Sequence, residues 1–442
     1  MRKVKISVVS LLIIIISAIL STNQLVIVGQ VEEGKNSRDL IINSFNATAS
    51  DNFFNETKDP RYHLITKPLT LLFYPNKGYP IITEYDKQFS IKVSAPEETT
   101  GWNLSLISET ANVSLEILNT KFDSEKKRWI IEVKPEQEIE GLFDLKLVCS
   151  AGNDYQTHSV KLVAKFSYPF SFVQISDSHF PGYAPDINST AIDLEVIQKI
   201  KELNPDFVIH TGDVIDGPNT VFVDPNTGKS IAAEVQLKLA LWALDKLDVP
   251  VFIVAGNHDF ETSNLIPDNP EEVWNKYFGY GRIQNFSFLD WDFTGYSVSF
   301  EGLSDFFYSS LREHLEQNSN GSDVLYYHYD FKEQATNILK NYNIEIALWG
   351  HEHRERFYYS QGTLYHCQDA MFKNQDSYTL FTMESENIFT VKEETFNTST
   401  FIREETESPT TKTSFPTILS LIFPFFVTTI YMLKRRKMSR KT

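Results

Sequence analysis

Phe170-Ser171-Phe172-Val173-Gln174-Ile175-Ser176-Asp177-Ser178-His179 opens on a mostly apolar run and closes on an acid and an imidazole two residues apart. An apolar run of that length, bounded by polar turn residues, reads as a strand buried on both faces, as in parallel sheets covered by helices. The same phrase returns downstream. Phe207-Val208-Ile209 leads into Gly212-Asp213-Val214-Ile215-Asp216, and Val251-Phe252-Ile253-Val254 into Gly256-Asn257-His258-Asp259. The run from Ile344 to Leu348 leads into Gly350-His351-Glu352-His353. Between these runs Ile192, Val196, Ile200 and Leu203 recur at helical spacing, and further helices are expected over 232–247 and about 332–341. Strands over 377–383 and 387–391 are expected to be antiparallel. The pattern is α/β. Ligands of open α/β sheets bind beyond the carboxyl ends of the strands, so four polar clusters placed there converge on one site.

Taken alone, each cluster has a plain reading: Gly-Asp is a common turn, and Asp-x-His arises by chance. Four in succession, each after an apolar strand, point to a common task. Neutral imidazole, carboxylate and amide oxygen together suit zinc, manganese or iron, and only two cysteines, Cys149 and Cys367, are present, which excludes a thiolate site. Those two cysteines either form one bridge or stay free.

The succession resembles the calcineurin-like metallophosphoesterase superfamily over roughly Phe170 to Val391. The resemblance implies an αββα four-layer sandwich holding two divalent or trivalent metal ions (manganese, iron or zinc). One ion would take Asp177, His179 and His353, the other Asn257, His328 and His351, with Asp213 bridging both. His328 is placed by its position after an apolar run and before the His351/His353 pair, with His314 and His366 as competitors. A metal-bridging hydroxide would attack phosphorus. His258 would lie outside the metal shell and protonate the leaving oxygen, with Asp216 holding its imidazole. His210 reads as a core histidine, and His63 and His158 as surface residues. Two departures narrow the subfamily. Asp216 stands where purple acid phosphatases place a tyrosine ligand, and Gly217-Pro218 stands where protein Ser/Thr phosphatases carry an arginine.

Upstream, Phe89-Ile91-Val93, Trp102-Leu104-Leu106, Val113-Leu115-Ile117, Trp129-Ile131-Val133, Leu145-Leu147-Cys149 and Val160-Leu162-Ala164 alternate with polar residues. Period two marks half-buried strands, and this many in so short a stretch suggest an immunoglobulin-like or fibronectin-like sandwich over 60–167, a spacer or binding module, ahead of a metallophosphoesterase domain over 168–395.

The two ends suggest an address. Arg2, Lys3 and Lys5 precede an apolar run, so residues 1–30 read as a signal peptide or an uncleaved anchor. Residues 396–414 read as a Ser/Thr-rich stalk, 415–433 as a transmembrane helix and 434–442 as a basic cytoplasmic tail. Asn-x-Ser/Thr triplets begin at Asn46, Asn55, Asn103, Asn112, Asn188, Asn285, Asn320 and Asn397, acceptors that matter only in a lumenal or extracellular chain. The expectation is a single-pass membrane glycoprotein with its hydrolase outside, acting on a small phosphomonoester or phosphodiester such as a nucleotide or lipid headgroup. The net charge of -17, with basic residues concentrated at the ends, argues against nucleic acid as a partner. The alternative is a surface adhesion protein whose metallophosphoesterase-like domain is not catalytic.

Overall fold

A computed structural model describes residues 61–180, 188–217, 233–260, 271–279, 283–297, 305–317, 323–330, 341–342, 344–373, 376–386, 388–393 and 399–402. All of them fall in one compact unit, Met1–Arg403. The expected terminal segments, the stalk beyond Ile402 and the expected helix at about 332–341, Asn341 apart, lie outside the described residues; Ser399–Ile402, expected in the stalk, instead form a strand paired with residues 388–391, so the sheet continues past the expected domain end at 395. Among those described, no helix is long and apolar enough to cross a membrane.

After a short helix, α1 (Tyr62–Ile65), come eight strands: β1 (Leu72–Tyr74), β2 (Ile81–Glu84), β3 (Phe89–Val93), β4 (Asn103–Ile107), β5 (Asn112–Asp123), β6 (Arg128–Pro135), β7 (Gly141–Cys149) and β8 (Gly152–Val163). Their order is β1-β3-β6-β5-β4-β7-β8-β2. The long β5 pairs with β4 through its first residues and with β6 through the rest, so the strands bend around one core. The core is what the alternation predicts: Ile91, Val93, Leu104, Leu106, Val113, Leu115, Ile131, Val133, Leu145, Leu147, Val160 and Leu162 pack together. Most pairings are antiparallel, but β2 runs parallel to β8.

The α/β part contributes two six-stranded sheets. The first has the order β11-β10-β9-β18-β19-β20, built from β9 (Phe170–Ile175), β10 (Phe207–His210), β11 (Val251–Ile253), β18 (Thr379–Ser385), β19 (Ile388–Glu393) and β20 (Ser399–Ile402). β9, β10 and β11 are mutually parallel, and β18 joins β9 antiparallel. The second sheet has the order β12-β13-β14-β15-β17-β16, from β12 (Ile283–Phe288), β13 (Trp291–Tyr296), β14 (Val324–Tyr327), β15 (Ile346–Trp349), β16 (Arg356–Ser360) and β17 (Thr363–Cys367).

Strand alternation divides the side chains between two cores. Phe172, Phe207, Ile209 and Phe252 face Phe293, Val324, Tyr326, Ile346 and Leu348 between the sheets. Their chain neighbours Val173, Ile175, Val208, Val251 and Ile253 face helices α2 (Asn188–Leu203) and α3 (Ala233–Leu244). Leu325, Tyr327 and Ala347 belong to the same helix-facing core as Leu311 and Leu315 of α5 (Asp305–Gln317). Four layers result, helix, sheet, sheet, helix, with α4 (Glu272–Phe278) between β11 and β12 in sequence. Continuous apolar strands follow from this arrangement, since both faces of each are buried.

Both cysteines are free: Cys367 is buried on β17, and Cys149 is partly exposed at the end of β7. His158 departs from the surface role expected of it. Its ring is half-buried, with Nδ1 3.2 Å from Asp245 of the α/β part, which also lies 3.6 Å from Arg61.

Candidate metal centre

Each cluster follows the carboxyl end of a central strand: Asp177 and His179 after β9, Asp213 after β10, Asn257 and His258 after β11, His328 after β14, His351 and His353 after β15. The turns that aim them are unusual. Asp177, His179, Asp213, His351 and His353 all have left-handed backbones, with φ of 51°, 47°, 54°, 69° and 49°. Non-glycine residues rarely adopt this region, and where they do the surrounding structure must hold them there. That support is visible. The N–H of Asp177 donates to Gly212 O at 2.9 Å and that of His179 to Asp213 O at 3.0 Å, tying the first two loops together. The N–H of His351 donates to both carboxylate oxygens of Asp177, at 3.1 and 2.9 Å.

The side chains form two groups that share one carboxylate. Asp177, His179, Asp213 and His353 bring one ligand atom each within 4.8 Å of one another, as do Asp213, His328 and His351. In the first group His179 Nε2 faces His353 Nε2 at 3.1 Å, and His353 Nε2 lies 3.2 Å from Asp177 Oδ1. In the second, His328 Nε2 lies 3.0 Å from Asp213 Oδ2 and 3.1 Å from Asn257 Oδ1. The structure therefore brings together all seven residues expected as ligands.

Tautomers test whether this set fits a metal. His328 Nδ1 donates to the carbonyl of Thr211 at 2.9 Å, which leaves Nε2 as the nitrogen turned toward two oxygens. His179 Nδ1 lies at ion-pair distance, 3.3 Å, from Asp216 Oδ1, with Nε2 turned toward His353. Lone pairs from imidazole, carboxylate and amide then point at the same small volumes, an arrangement a cation stabilises and neutral packing does not. The donor set fits borderline divalent ions.

Without a cation, protons must carry the positive charge. Burial disfavours charging His179, but Asp177 and Asp216 prevail and push it up to about 10. His328 rises to about 9 against the same burial penalty because of Asp213. Asp177 and Asp213 are both held well below the carboxylate range, against burial, by the histidines around them. His351 moves the other way, down to about 4, through burial and the neighbouring charge of His328.

His258 belongs to neither of these groups but borders the first: its ring centroid lies 4.7 Å from that of His179, and with His179 and Asp216 it makes a third set whose ligand atoms lie within 4.8 Å of one another. Its backbone N–H donates to Asp213 Oδ1 at 2.7 Å, its ring Nδ1 donates to the carbonyl of Asp216 at 2.8 Å, and its side chain is one-third exposed (33%). Asp216 thus meets His258 through its main chain. The Asp216 carboxylate lies 3.9 Å from the His258 ring and closer to His179.

Two contributors carry no mark in the sequence reading. Asp259 accepts hydrogen bonds from the N–H groups of Gly256, Asp213, Val214 and Ile215, at 2.7, 3.0, 2.9 and 3.1 Å, pinning the Asp213 loop to the Asn257 loop. Burial and the charge of Asp213 raise its pKa to about 7. Phe372 sets its ring edge-on to His179 and His353, with centroids 5.5 and 5.3 Å away. Asp259 could have been suspected as the acid closing Gly256-Asn257-His258-Asp259; nothing in the sequence singles out Phe372. The remaining histidines serve elsewhere. His210 is fully buried, accepts from Gly212 N–H and bonds Ser178, and burial lowers its pKa to about 3. His366 bonds Gln174, and His314 bonds Asn285.

The profile of the calcineurin-like phosphoesterase family matches residues 170–355, a span containing every ligand candidate and His258. The chain carries a calcineurin-like phosphoesterase domain. The mixed α/β fold of that domain is the family's. A curated relative, the DNA double-strand break repair protein Mre11 of Methanococcus maripaludis, is 33% identical over 97 residues, 21% of this chain and 24% of that protein. The chain thus spans about a quarter of that relative's length. Among solved structures, purple acid phosphatase PPD1 from yellow lupin (Lupinus luteus) seeds aligns with 79% of this chain and 78% of its own at 11% identity and a TM-score of 0.46. PhoD aligns with 75% and 89% at 10% identity and a TM-score of 0.43.

Proposed function

We propose that the phosphoesterase domain hydrolyses a small phosphomonoester or phosphodiester with two metal ions bound. The observation that carries this is the pair of ligand groups sharing Asp213, with five of the seven ligands held in left-handed backbone. Asp177, His179 and His353 would hold one ion and Asn257, His328 and His351 the other. Bound there, the ions lower the pKa of a coordinated water and neutralise phosphate oxygens. The chain's own residues supply the rest. Asp213 sets the spacing, His258 Nε2 holds the proton that the leaving oxygen needs, and the Asp216 carbonyl fixes the ring that carries it.

The acidic chain favours substrates small enough to be drawn by the ions alone. A nuclease is a second reading, supported by the local likeness to the DNA double-strand break repair protein Mre11. Titrating purified protein with manganese, zinc and iron against nitrophenyl phosphate, bis-nitrophenyl phosphate and duplex DNA decides between them. Failure to turn over any of them with every metal would refute the hydrolase reading, and efficient duplex cleavage at physiological salt would favour the nuclease.

The proposal extends to placement outside the cytoplasm, on a tether at 415–433, with the all-β region as an immunoglobulin-like module. Asn103, Asn112 and Asn285 are exposed, as glycan acceptors must be. Loss of mass on deglycosylation, and removal of the folded body by protease applied to intact cells, are the expected results.

A further inference from the structure

We infer that Gln284 is a positioning residue that couples the turn Asn76–Tyr79 of the all-β region to the two strands that lead to Asn257 and His328. The sequence gives that region the part of a spacer, but its turn reaches the sheet that carries the site. β11 is an edge strand: one side pairs with β10, and on the other the N–H of Ile253 donates to Gly78 O at 2.9 Å. The amide nitrogen of Gln284 donates to Gly78 O at 3.1 Å and to Ile253 O at 2.8 Å. Its amide oxygen accepts from the hydroxyl of Tyr326 at 3.0 Å. One buried amide therefore uses its donors on the turn and on β11, four residues before Asn257, and its acceptor on β14, two residues before His328.

The surroundings leave little freedom. Gln284, Gly295 and Tyr326 are successive cross-strand neighbours on β12, β13 and β14. Tyr326 reaches Gln284 by laying its ring over Gly295, where a Cβ would sit 2.3 Å from ring carbons. At the other end, a Cβ on Gly78 would sit 2.4 Å from the ring of Phe278, so the turn lies flush against α4. Asn76 braces the turn: its side-chain oxygen accepts from Gly78 and Tyr79 N–H at 3.0 and 2.9 Å, and its nitrogen donates to Phe278 O at 3.2 Å. The hydroxyl of Tyr79 donates to Asn285 O at 2.7 Å, and the Lys77 ammonium donates to Ile65 O. A three-residue edge strand whose outer side is satisfied by another part of the chain depends on that contact for its alignment. Asn257 and His328 are the two ligands downstream of the clamp, and both belong to the second ion. Tyr326 also pairs with Leu348 on β15, which leads to both His351 and His353, whereas no strand of the clamp pairs with β9, which leads to Asp177.

The inference rests on the two-ion reading of the site. Its test is calorimetric titration of manganese into metal-free full-length protein, comparing wild type with Gln284→Met, Tyr326→Phe and Gly78→Ala, and using His351→Ala to mark which binding event belongs to the second ion. Thermal unfolding identifies which variants are folded, and Tyr326→Phe, which removes a single hydroxyl, keeps a folded variant in the set. The expected result is that the event lost in His351→Ala weakens by about tenfold in all three, the scale of lost support around metal ligands, while the other stays within about twofold. Folded variants that bind both ions like wild type, or that weaken both events equally, overturn the inference, and selective loss in Gln284→Met but not in Gly78→Ala overturns the role of the turn. Wild-type protein that takes up no manganese refutes the two-ion reading itself.

Discussion

The ring of His328 gives its Nδ1 proton to the carbonyl of Thr211 at 2.9 Å and turns Nε2 toward Asp213 at 3.0 Å. A carbonyl only accepts, so Nε2 bears either a second proton or a lone pair for a cation. In metal-free protein the proton wins: Asp213 overcomes burial and raises His328 to about 9, and His179 likewise reaches about 10. Metal uptake near pH 7.5 is therefore expected to release protons, and apparent affinity to rise with pH toward about 9 to 10. Calorimetry in buffers of different ionisation enthalpy measures the release; proton-neutral binding would contradict it.

The same shifts set the pH dependence of the metal-free fold. Both folded-state values lie above the ordinary histidine value of 6.5, so the stability they confer is fully present below about pH 6.5 and is lost as pH rises through about 9 to 10. Denaturant midpoints of metal-free protein are expected to fall across that window, and the fall is expected to shrink when metal is present. A midpoint that rises with pH in the metal-free protein would contradict the assignment.

Asp213 and His258 are expected to fail differently. Asp213→Asn removes the charge shared by both ligand groups, so metal content and activity should drop together. His258→Ala should keep both ions and slow turnover by about 10² to 10⁴, the usual contribution of a positioned acid. The loss should shrink for a nitrophenol leaving group, which needs little protonation. A His258→Ala protein that loses its metals, or that is equally slow on good and poor leaving groups, would show that the ring is not the proton donor.

Much of this was legible because burial writes itself into sequence. Phe172 and Val173 face opposite cores, so β9 reads as a continuous apolar run, and the clusters at the strand ends mark the site directly. The all-β core was legible for the opposite reason, since Ile91 and Val93 alternate with polar neighbours. The β12–β13 hairpin was not, because its dense aromatic residues mark a core without marking where the two strands pair. Asp259 and Gln284 were hidden for another reason. Their work is done by hydrogen bonds to main-chain groups far away in sequence, which leave no periodicity.

The all-β core contains a defect that substitution should repair. Gln156 is fully buried on β8 opposite Leu145, and neither amide atom has a hydrogen-bond partner among the described residues. An unsatisfied buried polar group costs about 1 to 3 kcal/mol. Gln156→Met keeps the volume, removes the penalty, and should raise stability by about 1 kcal/mol or more in urea unfolding, with activity unchanged. A lower midpoint would mean that the amide is satisfied in solution.

Asp216 provides the last contrast, between its main chain and its side chain. The carbonyl receives the proton of His258 Nδ1 at 2.8 Å, while the carboxylate lies 3.3 Å from His179 Nδ1. Asp216→Asn keeps the carbonyl, so His258 should stay in place and the dependence on leaving group should remain that of wild type. What changes is the partner of His179. The neutral amide no longer supplies the negative charge beside Nδ1 that makes the ring a stronger donor at Nε2, and such support around a ligating histidine is typically worth about 10- to 100-fold in metal affinity. Asp216→Asn is therefore expected to weaken the ion held by Asp177, His179 and His353 and to be rescued by raising the metal concentration. If activity instead falls at saturating metal, and falls more for poor leaving groups than for good ones, the carboxylate acts through His258 after all.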